Sequence, residues 1–434
     1  MRDLLLGLTP KDIDVATSAT PDAVIALFPR TFSVGAHFGV VLVCSTIGDQ
    51  ELSTEVATFR HDGAYTDGRR PDAVRFSSDP REDVLRRDFT INGMLLDPVL
   101  YEQTMGEAQA AAVATLDYVG GQDDLAAETV RAIGDPALRF AEDKLRMLRA
   151  VRFAARLGFA IEPSTFTAIR QHAPTIDQVS NERVRDELTK MLTEGSARRA
   201  FELLDGSGLL REILPEAVAM HGVQQPPEFH PEGDVWVHTL LLLDKLLPGC
   251  PATLAWGALL HDIGKPATFR PPDPGKEGDR IRFNGHVEVG VRIAEVLLQR
   301  LRFSNEDTAQ IIALVQNHMR FGDILQMKQS TLKRFLRLPR FQEHLALHWL
   351  DCTSCHGNLR LYEFAKHRFE DEPSPETRPR LLITGRDLIA AGYPPSPQFK
   401  AMLEVAEDAQ LEGAIHTTED GLSLVRERFP QALS

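Results

Sequence analysis

Two carboxylates one residue apart, Asp12 and Asp14, lie in the alternating segment Lys11-Asp12-Ile13-Asp14-Val15. On a strand they would share one face roughly 6.5–7 Å apart. Acids at that spacing can hold divalent cations in common, and two metals about 3.5–4 Å apart can activate an attacking hydroxyl and neutralise a leaving pyrophosphate. The solvated face of an edge strand would carry the same pattern. Farther on, Arg86-Arg87-Asp88 places two arginines beside a carboxylate, which suits a triphosphate clamp kept in register by its own counter-ion. Asn92 either binds sugar or orders the loop. In EDKLRMLRAVR, Arg146, Arg149 and Arg152 recur every third residue, a slowly drifting stripe on a helix whose leucines and valine take the other face. Asp143 and Arg146 stand one turn apart. A carboxylate accepts from the exocyclic amine of cytosine or adenine while an arginine donates to the neighbouring ring nitrogen. Uracil and guanine would turn a carbonyl oxygen toward the carboxylate, and two facing acceptors are costly in a buried site.

A second constellation comprises His238, the adjacent pair His261-Asp262 in LLHDIGKPATF, then His286, His318 and Asp351. Their order resembles the HD phosphohydrolase superfamily, which implies helices presenting imidazoles and carboxylates to one or two divalent metals. Such a donor set suits Mn2+ or Ni2+, or Mg2+ with lower affinity. Water would then attack a phosphomonoester or cyclic phosphodiester; the bland alternative is a retained fold whose metal is vestigial. His221, His230, His344 and His348 lack comparable context and read as surface or core histidines. Cys352-Thr-Ser-Cys355-His356 spells a c-type haem attachment pattern, but two buried helix cysteines account for it better.

The elements that must position these groups fall into two kinds. Residues 1–98 mix β-branched runs (VVLVCSTI, ELSTEVATF, AVRFSS) with turn signals in HDG, TDG and RRP, as in a small sheet with flanking helices. After about residue 130 the apolar residues take helical spacing. Between these parts, Gly120-Gly121 in DYVGGQDDL fits a hinge or tight turn. QPPEFHP (225–231) reads as a boundary, PPDPGKEGD (271–279) as a loop and EDEPSPETRPR (370–380) as a linker. The chain of 434 residues carries 48 Lys+Arg and 62 Asp+Glu, a net charge of −14, with 43% hydrophobic residues. That excludes disordered, fibrous and polycationic classes. Four cysteines and the lack of a signal-like or membrane-spanning run point to a cytoplasmic protein. The charge is uneven: residues 131–199 hold 13 basic against 9 acidic side chains, and residues 300–340 hold 8 against 3. Arg146/Arg149/Arg152/Arg156 and Lys333/Arg334/Arg337/Arg340 are therefore candidate contacts for RNA phosphates, with a solvated helix face as the alternative for the second cluster.

RDLLLGLTPKDIDVATSATP, VATFRHDGAYTDGRRP, RRDFTINGM, DYVGGQDDL and FAEDKLRMLRAVRFAARLGF, in this order, resemble the successive signatures of the class II tRNA nucleotidyltransferase and bacterial poly(A) polymerase superfamily. The resemblance implies untemplated addition of nucleotides to an RNA 3′ end from nucleoside triphosphates with Mg2+. It makes Asp12 and Asp14 metal ligands, with Glu55 as candidate third carboxylate. It assigns Arg2, Arg87, Asp143, Arg146, Arg149 and Arg152 to the nucleotide. The expected class is α+β, arranged as a nucleotidyltransferase head (1–130), a helical neck with base-selecting and RNA-binding segments (131–200), a body and linker (201–230), an HD domain (231–360) and a helical tail (361–434). The family usually has a strand ending in Gly-Gly before the segment that here begins Met1-Arg2-Asp3. An upstream start restoring that segment is expected, the alternative being a head that has lost its phosphate loop. The expected function is addition or repair of the 3′-terminal CCA of tRNA from CTP and ATP, with end processing by the HD site and no membrane association. Adding only CC or only A stays open. The rivals are poly(A) polymerase and an HD phosphohydrolase with an inactive head.

Overall fold

VVLVCSTI and QELSTEVAT alternate apolar and polar side chains, and each forms a strand. The sheet comprises β1 (Val15–Thr17), β2 (Thr31–Gly35), β3 (Val40–Ile47) and β4 (Gln50–Thr58), in the order β1-β4-β3-β2. β3 and β4 pair antiparallel from Val40↔Ala57 to Ile47↔Gln50, while β1 joins β4 in parallel through Val15↔Val56. Val41, Val43 and Val56 point inward onto Val24 of the helix Pro21–Leu27 and form the sheet's small core. The structure, a computed structural model, describes residues 1–10, 12–35, 39–48, 50–63, 74–105, 109–371 and 380–430. The turn signals TDG and RRP and most of the 370–380 linker lie outside the described residues.

Three helices in the first half begin with Asp-Pro. Asp79, Asp97 and Asp135 accept hydrogen bonds from the backbone N–H groups of the following first turns, and Pro80, Pro98 and Pro136 take a position where no N–H is needed. Two of these are α1 (Pro80–Leu85) and α2 (Pro136–Glu142). Next come α3 (Leu145–Leu157), which ends at Gly158 with φ +75°, and α4 (Asn181–Thr193). Among the described residues past Val130, only Ala160–Ile161 is strand. The head is thus a small sheet with helices and the remainder is helical, the α+β arrangement that the sequence led us to expect. The Gly120-Gly121 segment is a tight turn and not a hinge. Gly120 takes φ +76°, and Asp117 accepts from the N–H groups of Val119, Gly121 and Gln122. A Cβ on Gly121 would collide with the Thr90 carbonyl oxygen.

The chain divides into two units: residues 1–221 with 243–252 and 297–303, and residues 222–242 and 253–296 with 304–434. In the second, α5 (Val235–Asp244) and α6 (Ala252–Leu260) are apolar nearly all round, the mark of helices buried on every side. α7 (His286–Arg300) approaches the HDIG turn so closely that a Cβ on Gly264 would strike the backbone of His286 and Gly290. α8 (Phe341–Ser354) follows. The helices Gln398–Leu411 and Thr418–Arg428 enclose a separate small core around Leu388, Met402 and Val425.

Gly121→Ala should lower the unfolding free energy by about 1–3 kcal/mol, because backbone blocks the new methyl. Gly206→Ala, inside a helix with its nearest neighbour atom at 4.0 Å, should instead be neutral or raise it by up to about 1 kcal/mol. Denaturant unfolding of the two variants tests this; equal effects would show that the close approach does not constrain the turn.

Candidate functional site

Strand β1 starts at Val15, so Asp12 and Asp14 occupy an extended segment just before the ladder and not a strand, as their alternation had suggested. Both are exposed. Glu55 is also exposed, on β4 opposite Leu42. Asp14 and Glu55 each directly precede the first paired residues, Val15 and Val56, of the parallel ladder. Val56 and Thr58 are buried, so Glu55, one residue before Val56 in the alternation, belongs to the other face. The three acids offer only oxygen donors, which suits Mg2+. Among the described residues, none of them belongs to a group of three close metal-competent side chains.

Asp88 is not the counter-ion of the neighbouring arginines. Asp83, buried on α1, takes that part: its Oδ1 accepts from Arg86 Nη2 at 2.6 Å and its Oδ2 from Arg87 Nη2 at 3.0 Å. The pairs are i,i+3 and i,i+4, so the helix itself brings them together. Asp88 instead accepts from Arg149 Nε at 2.7 Å, from Asn92 Nδ2 at 3.1 Å and from the Phe89 N–H. Burial would raise the Asp88 pKa, but the Arg149 charge and these hydrogen bonds overcome it and hold the carboxyl below its usual range. Asn92 passes the order on, accepting from Arg2 Nη1 at 2.7 Å through its side chain and from Arg87 Nη1 at 3.2 Å through its carbonyl. Arg2, Arg87, Asn92, Asp88 and Arg149 therefore form one lattice. The guanidiniums of Arg87 and Arg149 remain 28% and 34% exposed, so part of each faces solvent.

α3 does not show an arginine stripe opposite an apolar face. Arg146 and Arg152 are buried with the leucines, and each arginine has its own carboxylate. Arg146 donates to Glu142 at 2.8 Å and to the Arg86 carbonyl at 2.9 Å. Arg152 donates to buried Glu187 of α4 at 2.6 Å, and Arg156 lies 3.5 Å from Asp3 and 3.8 Å from Glu194. The guanidiniums of Arg2, Arg149 and Arg152 lie 4.7, 5.2 and 4.3 Å from the centre of the Phe153 ring. Asp143 caps α2 and accepts from the Leu145 N–H and from Arg183 of α4 at 3.1 Å; its guanidinium partner is Arg183, forty residues away, and not Arg146. The Arg146/Arg149/Arg152/Arg156 cluster is thus internally neutralised. The same holds for much of the later basic cluster. Arg334 pairs with Glu407 and Asp408, Lys333 donates to the Leu411 carbonyl, and Arg340 pairs with Glu306. Lys333 and Arg334 thereby fasten the tail helix Gln398–Leu411.

All six residues of the second constellation converge. His238 comes from α5, His261-Asp262 from the end of α6, His286 and His318 from the starts of their helices, and Asp351 from α8. Asp262 is the hub, with its carboxylate oxygens 3.2 Å from His261 Nε2, 3.7 Å from His318 Nε2, 3.8 Å from His286 Nε2 and 3.9 Å from His238 Nε2. Asp351 lies 3.2 Å from His238 Nε2. Each Nδ1 faces an acceptor: the Ala258 carbonyl at 2.9 Å for His261, Phe283 at 2.9 Å for His286, Val315 at 2.7 Å for His318, and the Glu232 carboxylate at 2.7 Å for His238. Those oxygens only accept, so each Nδ1 carries a hydrogen and each Nε2 is the nitrogen turned toward the carboxylates.

Four facts fit a divalent cation at this centre. His238 Nε2 and His261 Nε2 are buried without a hydrogen-bond partner. His286 Nε2 and His318 Nε2 face each other at 3.3 Å, two lone pairs unless a proton or cation intervenes. The site's atoms fall into metal-competent groups, His238/His261/Asp351 and Asp262/His286/His318. Glu232, Asp262 and Asp351, set against Lys265, whose Nζ lies 2.7 Å from Asp262, leave two negative charges that one divalent ion would neutralise. In the metal-free protein, burial would lower His238, but Asp351 and Glu232 override it and raise it to about 9. Burial pushes His318 down to about 4 despite Asp262, and His286 below its ordinary value.

Sequence reasoning passed over several participants. His230, read as a surface or core histidine, donates to Glu232 at 2.9 Å beside His238. Glu232, Asp83, Arg183 and Glu187 had no motif of their own. His344 and His348 are core: both are buried, burial lowers both to about 4, and His348 stacks on Phe321 with centroids 4.2 Å apart. Cys352 is buried on α8, and Cys355 is half-buried just beyond it. Burial raises both thiols to about 12.

A head with a small mixed sheet joined to helices that carry a histidine–aspartate centre defines a polymerase-type protein with an HD domain. Family models agree: "Poly A polymerase head domain" matches residues 1–131, "Probable RNA and SrmB- binding site of polymerase A" 158–220 and "HD domain" 235–339. The "Multifunctional CCA protein" of Nitrosococcus oceani is 34% identical over 96% of this chain and 97% of its own length. The chain belongs to the CCA-adding enzyme family. A "CCA-adding enzyme" of Geobacillus stearothermophilus is 41% identical over 48% of each chain, so that match spans about half the length of that relative. Among solved structures, the "CCA-adding enzyme in complex with CTP" of Bacillus stearothermophilus superposes with a TM-score of 0.70 at 26% identity, covering 98% of this chain and 91% of that one. Among the described residues, no helix is long and apolar enough to cross a membrane.

Two outcomes follow from this geometry. Glu187→Gln should cost roughly 3–5 kcal/mol, because it strands buried Arg152, and adding Arg152→Met should recover part of the loss. Urea unfolding checks this; a single variant as stable as the parent would overturn it. At the HD centre a cation must displace the His238 proton, so Ni2+ affinity should climb by up to about tenfold per pH unit between about pH 6 and pH 8. Titration calorimetry in buffers of different ionisation heat reads the released proton, and a flat profile would contradict the assignment.

Proposed function

We infer that the chain adds or repairs the 3′-terminal CCA of tRNA from CTP and ATP. The RNA 3′ hydroxyl attacks the α-phosphorus of the nucleotide, a new phosphodiester forms and pyrophosphate leaves. Asp12 and Asp14, with Glu55 as a third carboxylate, would hold Mg2+, whose chemistry there would be to activate the hydroxyl and offset charge on the departing pyrophosphate. Arg2, Arg87 and Arg149 receive the triphosphate. Asp83, Asp88 and Asn92 fix these guanidiniums before the nucleotide arrives, so little ordering is left to the binding step. Arg152, buried on Glu187 and over the Phe153 ring, acts by holding α3 in place.

The observation that carries this reading is Asp143, a carboxylate with an arginine on it, fixed at the junction of α2 and α3. It accepts from the exocyclic amine of C or A, and Arg183 or Arg146 supplies the ring-nitrogen donor. Rigid side chains thus take the place of a nucleic-acid template. At the second centre His238, His261, Asp262, His286, His318 and Asp351 would hold a divalent ion, Mn2+, Ni2+ or Mg2+, whose chemistry there would be to orient a phosphate and activate water for its hydrolysis. A phosphomonoester or cyclic phosphate at an RNA end is the fitting substrate. Four free thiols suit a cytoplasmic setting.

The test incubates the full-length protein with tRNA transcripts lacking one, two or all three terminal nucleotides, labelled CTP and ATP, and Mg2+. Growth that stops at CCA supports the reading. Long A tracts would make the protein a poly(A) polymerase, and phosphate release from a 2′,3′-cyclic end without incorporation would leave only the hydrolase. Asp12→Ala with Asp14→Ala should abolish incorporation and spare hydrolysis, whereas His261→Ala should do the reverse. Loss of both activities from either change would defeat the two-centre account.

A further inference from the structure

Every histidine at the HD centre needs a partner for its Nδ1–H, and three of the four use a main-chain carbonyl: Ala258, Phe283 and Val315. His238 differs in using a carboxylate. The geometry points to Glu232 as the positioning residue that sets the tautomer, aim and donor strength of His238 toward the divalent ion, a step that rests on the metal reading given above.

Glu232 comes just before α5, six residues ahead of His238, immediately after the Pro-rich segment 225–231 that the sequence marks only as a boundary. Its Oε1 accepts from His238 Nδ1 at 2.7 Å and from His230 Nδ1 at 2.9 Å. The rings of His230 and His238 meet edge to face with centroids 4.9 Å apart, so His230 braces the carboxylate from the outer side. The Glu232 side chain is 8% exposed and that of His238 is fully buried. A carboxylate accepting from an imidazole N–H draws the hydrogen toward itself and leaves the far nitrogen a stronger donor than a carbonyl partner would. The far nitrogen, Nε2, is buried without a hydrogen-bond partner and faces Asp351 and Asp262. The other Glu232 oxygen, Oε2, is also buried and unpartnered. The charge is therefore kept largely out of water, held by the imidazole pair and by its own backbone N–H, while Oε2 is left unanswered, an arrangement unfavourable for stability alone.

The experiment titrates metal-free full-length protein with Ni2+ and with Co2+, following heat, bound-metal stoichiometry and the Co2+ visible spectrum. The variants are Glu232→Gln and Glu232→Asp. Glu232→Gln should weaken Ni2+ binding by about 10–100-fold and shift the Co2+ bands. Glu232→Asp, which keeps the charge, should recover part of the affinity. Metal-free unfolding and nucleotide incorporation should match the parent in both variants. Unchanged Ni2+ affinity and Co2+ spectrum in Glu232→Gln would overturn the inference alone. Weakened binding matched by an equal loss of metal-free stability would reduce Glu232 to a fold contact and also overturn it. A parent protein that binds neither ion would defeat the metal reading itself.

Discussion

A charge taken out of water must meet its counter-charge, and both centres of this protein are built around that requirement. In the head, Asp83 and Asp88 are almost fully buried, and each is answered by guanidinium groups within hydrogen-bonding distance. In the HD domain, Asp262 is buried among four imidazoles and the ammonium of Lys265. The energetics are asymmetric: a matched buried pair is nearly neutral against an apolar alternative, while a broken one costs several kcal/mol. Such pairs specify geometry more than they add stability. Arg149 cannot leave Asp88 without stranding it, so a nucleotide would meet a guanidinium already in place.

The two centres solve the requirement differently, and the difference follows from their donors. The head's metal candidates, Asp12, Asp14 and Glu55, are exposed carboxylates, which keep their water and offer only oxygen donors. The HD centre is sunk among apolar helices and uses four imidazoles, of which burial holds His318 and His286 below the ordinary histidine range while Asp351 and Glu232 hold His238 above it. It therefore balances its carboxylates with a proton on His238 when no cation is bound. The first arrangement suits a hydrated, exchangeable ion and the second an ion held out of water by nitrogen and oxygen donors.

How far the sequence revealed these sites depended on the distance over which their partners lie. His238, His261, Asp262, His286, His318 and Asp351 were found because each carries an unusual residue type, and their convergence needs only that the helices pack. The α+β division was equally visible, since alternation in VVLVCSTI and helical spacing after residue 130 are local signals. What escaped was pairing. Asp88 next to Arg87 invites a bond between neighbours, but the helical turn of α1 gives Arg87 to Asp83, and the fold gives Asp88 to Arg149, sixty-one residues on. Asp143 was matched with Arg146 for the same reason, whereas α4 supplies Arg183. The stripe of α3 misled because its arginines are spaced as a surface face would be; only the acids of other helices reveal that two of them are interior.

Net charge is the property most altered by the structure. Two clusters that sum to positive along the chain turn out to be spent within the fold: Arg152 on Glu187, Arg334 on Glu407 and Asp408, Arg340 on Glu306. Local excess of arginine is thus a poor guide to where a polyanion lies, because an arginine already in a bidentate or buried pair adds little to the external field. The groups that retain both charge and access are fewer, Arg87 and Arg149 among them, and they stand on the lattice that also fixes Arg2 and Asn92. In a protein of net charge −14 these few guanidiniums, held rigidly by buried carboxylates, are the basic groups of the head lattice that keep access to solvent.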